Sequence, residues 1–264
     1  MEQFDRLIGI VKRLRAPDGC PWDREQTPET VKKYILEEAY ELYDAIEADN
    51  HEEVAEELGD LLFMLIFLAN IFEERGNWRF DQCLEKAAEK MIRRHPHIFG
   101  DVKLASSEEV LANWQVVKEA EAKEKGKKHS ALGNLPRALP ALQKAFRLGE
   151  RASRIGFDWK CAEDVLAKAE EERNELLDAI HKKDAIGIAN ELGDLMFSLA
   201  NFARHLGLNP EDVLRQTNER FIARFLRMEE YFSLKDISIR DASLEEMDDV
   251  WKIVASKQQE SSRD

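Results

Sequence analysis

Cysteine is scarce in this chain: Cys20, Cys83 and Cys161 form no CxxC pair and leave an odd thiol. That pattern supports neither a disulfide framework nor a zinc site, and it suits a reducing compartment. Long apolar runs are also missing. The longest, Leu61 to Ala69, falls far short of the ~20 residues a membrane-spanning helix needs and reads as a buried core helix. The first residues, MEQFDRLIGIVKRLR, mix charge into an amphipathic pattern without the apolar block of a secretory signal, so a cytoplasmic location is expected. Net positive charge is absent too. A formal charge of -14 repels polyanions and argues against a general nucleic-acid or anionic-membrane binder. No GxxxxGK[ST] loop occurs, which excludes a P-loop machine. No histidine follows a glutamate at three residues, which argues against a carboxylate-bridged di-iron site.

Strand signals are scarce, whereas helix starts and stops are frequent, so the fold class is all-α. Thr27 before Pro28 and Asn209 before Pro210 are N-caps with proline in the first turn. Asn50 with Glu53, Ser106 with Glu109 and Ser243 with Glu246 have capping-box spacing. Gly76 and Gly207 fall at expected helix ends, and Pro96 stops a helix near His95. His95 and His97 read as turn or capping residues and His205 as a partner of a helix C-terminal dipole.

Laid on itself, the chain repeats. Gly19, Trp22, Ser106, Glu109 and Trp114 recur at one offset as Gly156, Trp159, Ser243, Glu246 and Trp251. ILEEAYEL and ELGDLLF recur at a slightly shorter one as AEEERNEL and ELGDLMF, and EKMIRR as ERFIAR. The expected organisation is a tandem repeat of two helical-bundle domains, 1–120 and 135–264. A polar linker, 121–134, containing EAKEKGKKHS, joins them.

Each copy carries two carboxylate pairs at helical spacing: Glu38 with Glu41 and Glu57 with Asp60, then Glu172 with Glu175 and Glu191 with Asp194. One such pair is ordinary in a chain with 53 acidic residues. Two pairs in the same order, repeated, and opening into an apolar run, are not. Like charges on one helix face repel by ~0.2–0.5 kcal/mol per pair even in water. The short connection between the two helices should bring four carboxylates together, and a hard dication such as Mg²⁺ is the matching counter-charge. Basic pairs follow, Lys90 with Arg94 and Arg220 with Arg224, at a spacing that could clamp phosphates. Trp114 and Trp251 suit a core or a base-stacking role. Phe67 in the first copy is Asn201 in the second, where an amide could bond a substrate.

With these residues, the chain resembles the MazG family of nucleoside triphosphate pyrophosphohydrolases over nearly its whole length. EExxE followed by ExxD appears at Glu37, Glu38, Glu41, Glu57 and Asp60, and again at Glu171, Glu172, Glu175, Glu191 and Asp194. GCPWDREQT, RRHPHIFGD, SALGNLPRALPAL and GFDW resemble stretches of the two-domain bacterial members. The resemblance implies an all-α homodimer that hydrolyses NTPs or dNTPs to monophosphate and pyrophosphate with Mg²⁺, Mn²⁺ being a substitute. It also implies metal ligation by Glu172, Glu175, Glu191 and Asp194, phosphate or nucleoside contacts from Arg220, Arg224, Trp251 and Asn201, and water activation by Glu171 or Glu172. Gly187 stands where close relatives carry a basic residue. Two other readings remain: a non-catalytic helical scaffold binding a structural cation or a protein partner, and a pyrophosphohydrolase restricted to dUTP, dCTP or phosphoribosyl-ATP.

Overall fold

The computed structural model describes residues 2–124 and 130–261, and every regular element among them is a helix. The chain divides into two compact units, Met1–Gly126 and Lys127–Asp264. The first holds α1 (Glu2–Arg15), α2 (Pro21–Glu25), α3 (Pro28–Glu47), α4 (His51–Glu74), α5 (Phe80–Arg94), α6 (Pro96–Phe99) and α7 (Ser107–Glu124). The second holds α8 (Ala141–Ser153), α9 (Ala162–Lys182), α10 (Ala185–His205), α11 (Pro210–Ser233) and α12 (Leu244–Ser261). Because α7 runs to Glu124, the first residues of the expected linker are helical. Its middle, 125–129, lies outside the described residues.

Local sequence sets the helix ends. Thr27 accepts from the Thr30 amide with Pro28 in the first turn, and Asn209 does the same for Glu211 ahead of α11. Ser243 and Glu246 bond each other's backbone amides reciprocally. At Ser106 the return bond reaches one residue further back: Glu109 accepts from Ala105. Gly76 and Gly207 take positive φ, 69° and 73°, and close Schellman turns that satisfy the last carbonyls of α4 and α10.

Each unit is organised around a helical hairpin, α3 with α4 and α9 with α10. The same turn builds both. Asp49 and Lys183 each adopt φ 53°, the left-handed region, and Asn50 and Asp184 then cap the next helix. In the first unit α1 packs on α4, and Val11, Val31, Ile66, Phe67 and Ile71 form the buried centre. Full burial of each is worth about 1.5–3 kcal/mol. In the second unit the helices meet on small residues: Ala145 and Gly149 of α8, Val165, Ala169 and Ala179 of α9, and Ser198 and Ala200 of α10 are buried. A Cβ on Gly149 would strike the side chains of Asn201 and Arg204, so glycine lets α8 approach α10. A separate cluster of Met228, Phe232, Ala242, Val250 and Val254 joins α11 to α12.

The two units tie the far end of the hairpin differently. In the second, Arg204 grips Asp158 through two bonds of 2.5 and 3.0 Å, and His205 adds a third at 3.0 Å. Asn201 accepts from Arg204 Nε at 3.2 Å. These contacts pull the Asp158 carboxyl down to about 2, the Arg204 hydrogen bonds contributing most. In the first unit the cation comes from α1: Arg15 bonds both Glu74 oxygens, at 2.6 to 3.1 Å, and lies 5.3 Å over the Phe67 ring. Phe67 and Asn201 are thus alternative supports for a buried guanidinium supplied from different helices.

A depressed carboxyl pKa stabilises the fold above the unfolded-state value and loses that contribution as pH falls toward the folded one. Asp158→Asn is therefore expected to destabilise the second unit by about 2 kcal/mol at neutral pH. Urea unfolding followed from pH 7 downward should show wild type and variant converging as pH drops from near 4 to about 2.

Candidate active site

Glutamates three apart on one helix meet a glutamate of the next across each hairpin. In the second unit Glu172 and Glu175 of α9 and Glu191 of α10 bring one carboxylate oxygen each to within 4.8 Å of one another. Glu38, Glu41 and Glu57 do the same across α3 and α4. Glu172 is buried, at 6% exposure, while Glu38, Glu57 and Glu191 are half-buried and Glu41 and Glu175 are exposed. Crowding shows in the acidities. The Glu191 carboxyl is pushed up by desolvation and then by Glu175 and Glu172. Glu38 and Glu57 are pushed up the same way in the first unit, desolvation first, with Asp60 and Glu41 adding repulsion.

The expected fourth member stands apart in both copies. Asp60 and Asp194 are exposed and lie outside the close triads. An aspartate is one methylene shorter than a glutamate, so at the same helical spacing its carboxylate stays nearer its own backbone. A triad of hard oxygen donors, flanked by a further carboxylate on the same helix, suits a divalent cation with water completing its shell.

Lys168 went unnoticed in the sequence. Its ammonium bonds Glu172 at 2.7 Å and Glu171 at 3.0 Å, which raises its pKa well above the usual lysine range, the Glu172 bond contributing most. The signal was KAEEE, a lysine three and four residues ahead of two glutamates on one helix. Tyr34 occupies the matching place in the first copy, edge-on to Trp22. The buried glutamate of the second unit therefore has an internal counter-charge supplied by its own helix.

The basic and aromatic residues gather on the later helices. Arg224 lies 5.9 Å over the Trp251 ring, joining α11 to α12, and Trp251 also packs against Phe221 with ring centroids 5.1 Å apart. Arg220 donates to Thr217. Arg94 lies over Trp114 at the same 5.9 Å in the first unit. Asn201 is 1% exposed, and its amide is engaged within the protein, donating to the Phe197 carbonyl and accepting from Arg204. Gly187 sits in the first turn of α10, where a Cβ would press on the Asp184 carboxylate that caps the helix. His95 accepts the capping role, Nδ1 lying 2.7 Å from the Met91 carbonyl. His205 bonds Asp158 at the end of α10.

The MazG nucleotide pyrophosphohydrolase domain matches the chain twice, over residues 26–99 and 162–227, each match spanning one carboxylate hairpin. A nucleoside triphosphate pyrophosphohydrolase of Escherichia coli K12 is 41% identical over 96% of this chain and 97% of its own. The nucleoside triphosphate pyrophosphohydrolase/pyrophosphatase MazG of Thermotoga maritima is 42% identical over 94% of both chains. A crystal structure of a mazG-related protein from Thermotoga maritima matches 44% of this chain and 98% of its own at 26% identity, with a TM-score of 0.40. Two family domains, each on an acidic helical hairpin, and relatives 41% and 42% identical over nearly the whole chain establish that this chain belongs to the MazG nucleotide pyrophosphohydrolase family.

Proposed function

We propose that the working site is the second unit, where Glu172, Glu175, Glu191 and Asp194 hold a divalent cation, Mg²⁺ with Mn²⁺ as a substitute. The chain is a nucleoside triphosphate pyrophosphohydrolase, a hydrolase of phosphoric anhydrides that releases monophosphate and pyrophosphate. The observation that carries the site is the Glu172, Glu175 and Glu191 triad, drawn within 4.8 Å although Glu191 resists ionisation there. A bound dication supplies charge neutralisation for the phosphates and favours deprotonation of water. Arg220 and Arg224 receive phosphate oxygens, and Trp251, already under the Arg224 guanidinium, offers its ring to the nucleoside.

One carboxylate, Glu171 or Glu172, orients a water for in-line attack and takes its proton. Lys168 pairs with both carboxylates and is the nearest replacement for the cation that Gly187 does not supply. Asn201 acts one step removed, by fixing Arg204 and with it the end of α10.

The active form is a homodimer, because each hairpin leaves the same apolar stripe uncovered. Leu58, Leu62 and Leu65 of α4 are 55%, 37% and 47% exposed, and their repeats Leu192, Met196 and Leu199 of α10 are 47%, 50% and 47% exposed. Residues at this spacing share one face, and such a patch on a soluble chain marks a protein interface. A second copy of the chain offers the matching surface.

With Mg²⁺ and a mixed triphosphate pool, Glu175→Ala should lose pyrophosphate release by at least about 100-fold, whereas Glu41→Ala should retain most of it. An active Glu175→Ala protein would overturn the choice of site; no monophosphate from wild type at all would favour a scaffold. Met196→Glu is expected to shift the chain from dimer to monomer in sedimentation velocity, at unchanged helical content.

A further inference from the structure

In the first unit, Arg94, which matches Arg224 of the proposed phosphate clamp, and its neighbour Arg93 already hold an anion from their own chain. Glu121 of α7 is 9% exposed and reaches back to α5. Arg93 Nη2 lies 2.7 Å from its Oε1, and Arg94 Nη2 lies 2.7 Å from its Oε2. Arg94 is itself mostly covered, with 17% of its side chain exposed. Together these bonds pull the Glu121 carboxyl down to about 2, the Arg94 hydrogen bond contributing most. Trp114 lies under the Arg94 guanidinium, and its indole Nε1 is buried without an acceptor. Two planar cations converging on one carboxylate, with a spare indole donor beside them, form an anion-binding arrangement.

The repeat makes the comparison specific. Arg94 and Trp114 correspond to Arg224 and Trp251, stacked at the same distance. Glu121, however, corresponds to Gln258 and Arg93 to Ala223. The first copy therefore adds a carboxylate and a second arginine to a scaffold that the other copy keeps without either residue.

We propose that Arg93, Arg94 and Trp114 form a second binding site for phosphate-chain anions, closed by Glu121 acting as a built-in ligand. A single carboxylate in this position competes at an effective concentration no free anion matches, since its helix is already docked on α5. The first unit then binds no polyphosphate, and the chain works from the second. This rests on Arg224 and Trp251 being the phosphate and nucleoside contacts of the working site.

Inorganic pyrophosphate titrated calorimetrically into the full chain tests it. Glu121→Gln, close in shape but uncharged, should add one pyrophosphate site per chain to whatever number wild type shows. The affinity there should exceed any wild-type binding in the first unit by at least about tenfold. Adding Arg94→Gln should remove the gained site, and pyrophosphate should raise the melting temperature of Glu121→Gln more than that of wild type. If Glu121 only ties α5 to α7, Glu121→Gln melts lower, gains no site and is not rescued by pyrophosphate, and the proposal fails. Should the single variant not fold, Glu121→Asp keeps the charge but is one methylene shorter, which withdraws the carboxylate from Arg93 and Arg94 and leaves both arginines in place. The same gain is expected from it, and its absence overturns the proposal equally. Failure of the second-unit assignment reads differently: wild type then binds no pyrophosphate, while the increment on removing Glu121 persists.

Discussion

Repulsion among carboxylates held on a helical hairpin is the constraint around which both units are arranged. Three glutamates with carboxylate oxygens within 4.8 Å of one another are crowded, and the raised pKa values of Glu38, Glu57 and Glu191, from desolvation and then repulsion, record it. Nothing in the helices themselves requires this crowding. It persists because the turns at Asp49 and Lys183 fix one register between the helices, and because apolar contacts elsewhere hold the hairpins closed.

Much of this was legible in the chain itself. Helix starts at Thr27, Asn209 and Ser243, the glycine stops at Gly76 and Gly207, and the carboxylate pairing across each hairpin all follow from local chemistry. Such features depend on neighbours within a turn or two, which the sequence displays directly. Other details depend on reach and packing. Asp194 flanks the close triad on the same helix as Glu191, with a side chain one methylene shorter, a difference of reach that a spacing rule does not register. Asn201 is a buried amide that accepts from the Arg204 guanidinium of its own helix, beside the space that Gly149 of α8 leaves open.

The ties between distant segments were the least legible. Arg15 with Glu74 and Arg204 with Asp158 do equivalent work, but the charges sit on different elements. A repeat alignment pairs Asn70 with Arg204 and Phe67 with Asn201, and so hides the exchange. A buried guanidinium can be supported by an aromatic face or by an amide oxygen. Once one unit changed the helix that donates it, the residue beneath had to change as well. The difference between Phe67 and Asn201 follows the helix that supplies the guanidinium, α1 in one unit and α10 in the other.

The two units also differ in how each neutralises its charges before any ligand arrives. In the second unit Lys168 neutralises the acid side, bonding Glu171 and Glu172. In the first, where Tyr34 stands in place of that lysine, the acidic triad has no lysine ion pair of this kind among the described residues, while Arg93 and Arg94 are both held by Glu121. A flexible exposed-tipped lysine can swing from carboxylate to phosphate as a dication replaces it. A carboxylate fixed on a docked helix between two arginines has no comparable exit, since leaving would strand two partly covered cations. Two copies of one fold thus differ in the pairings their own side chains make, the second meeting Glu171 and Glu172 with a lysine of the same helix and the first closing Arg93 and Arg94 with Glu121.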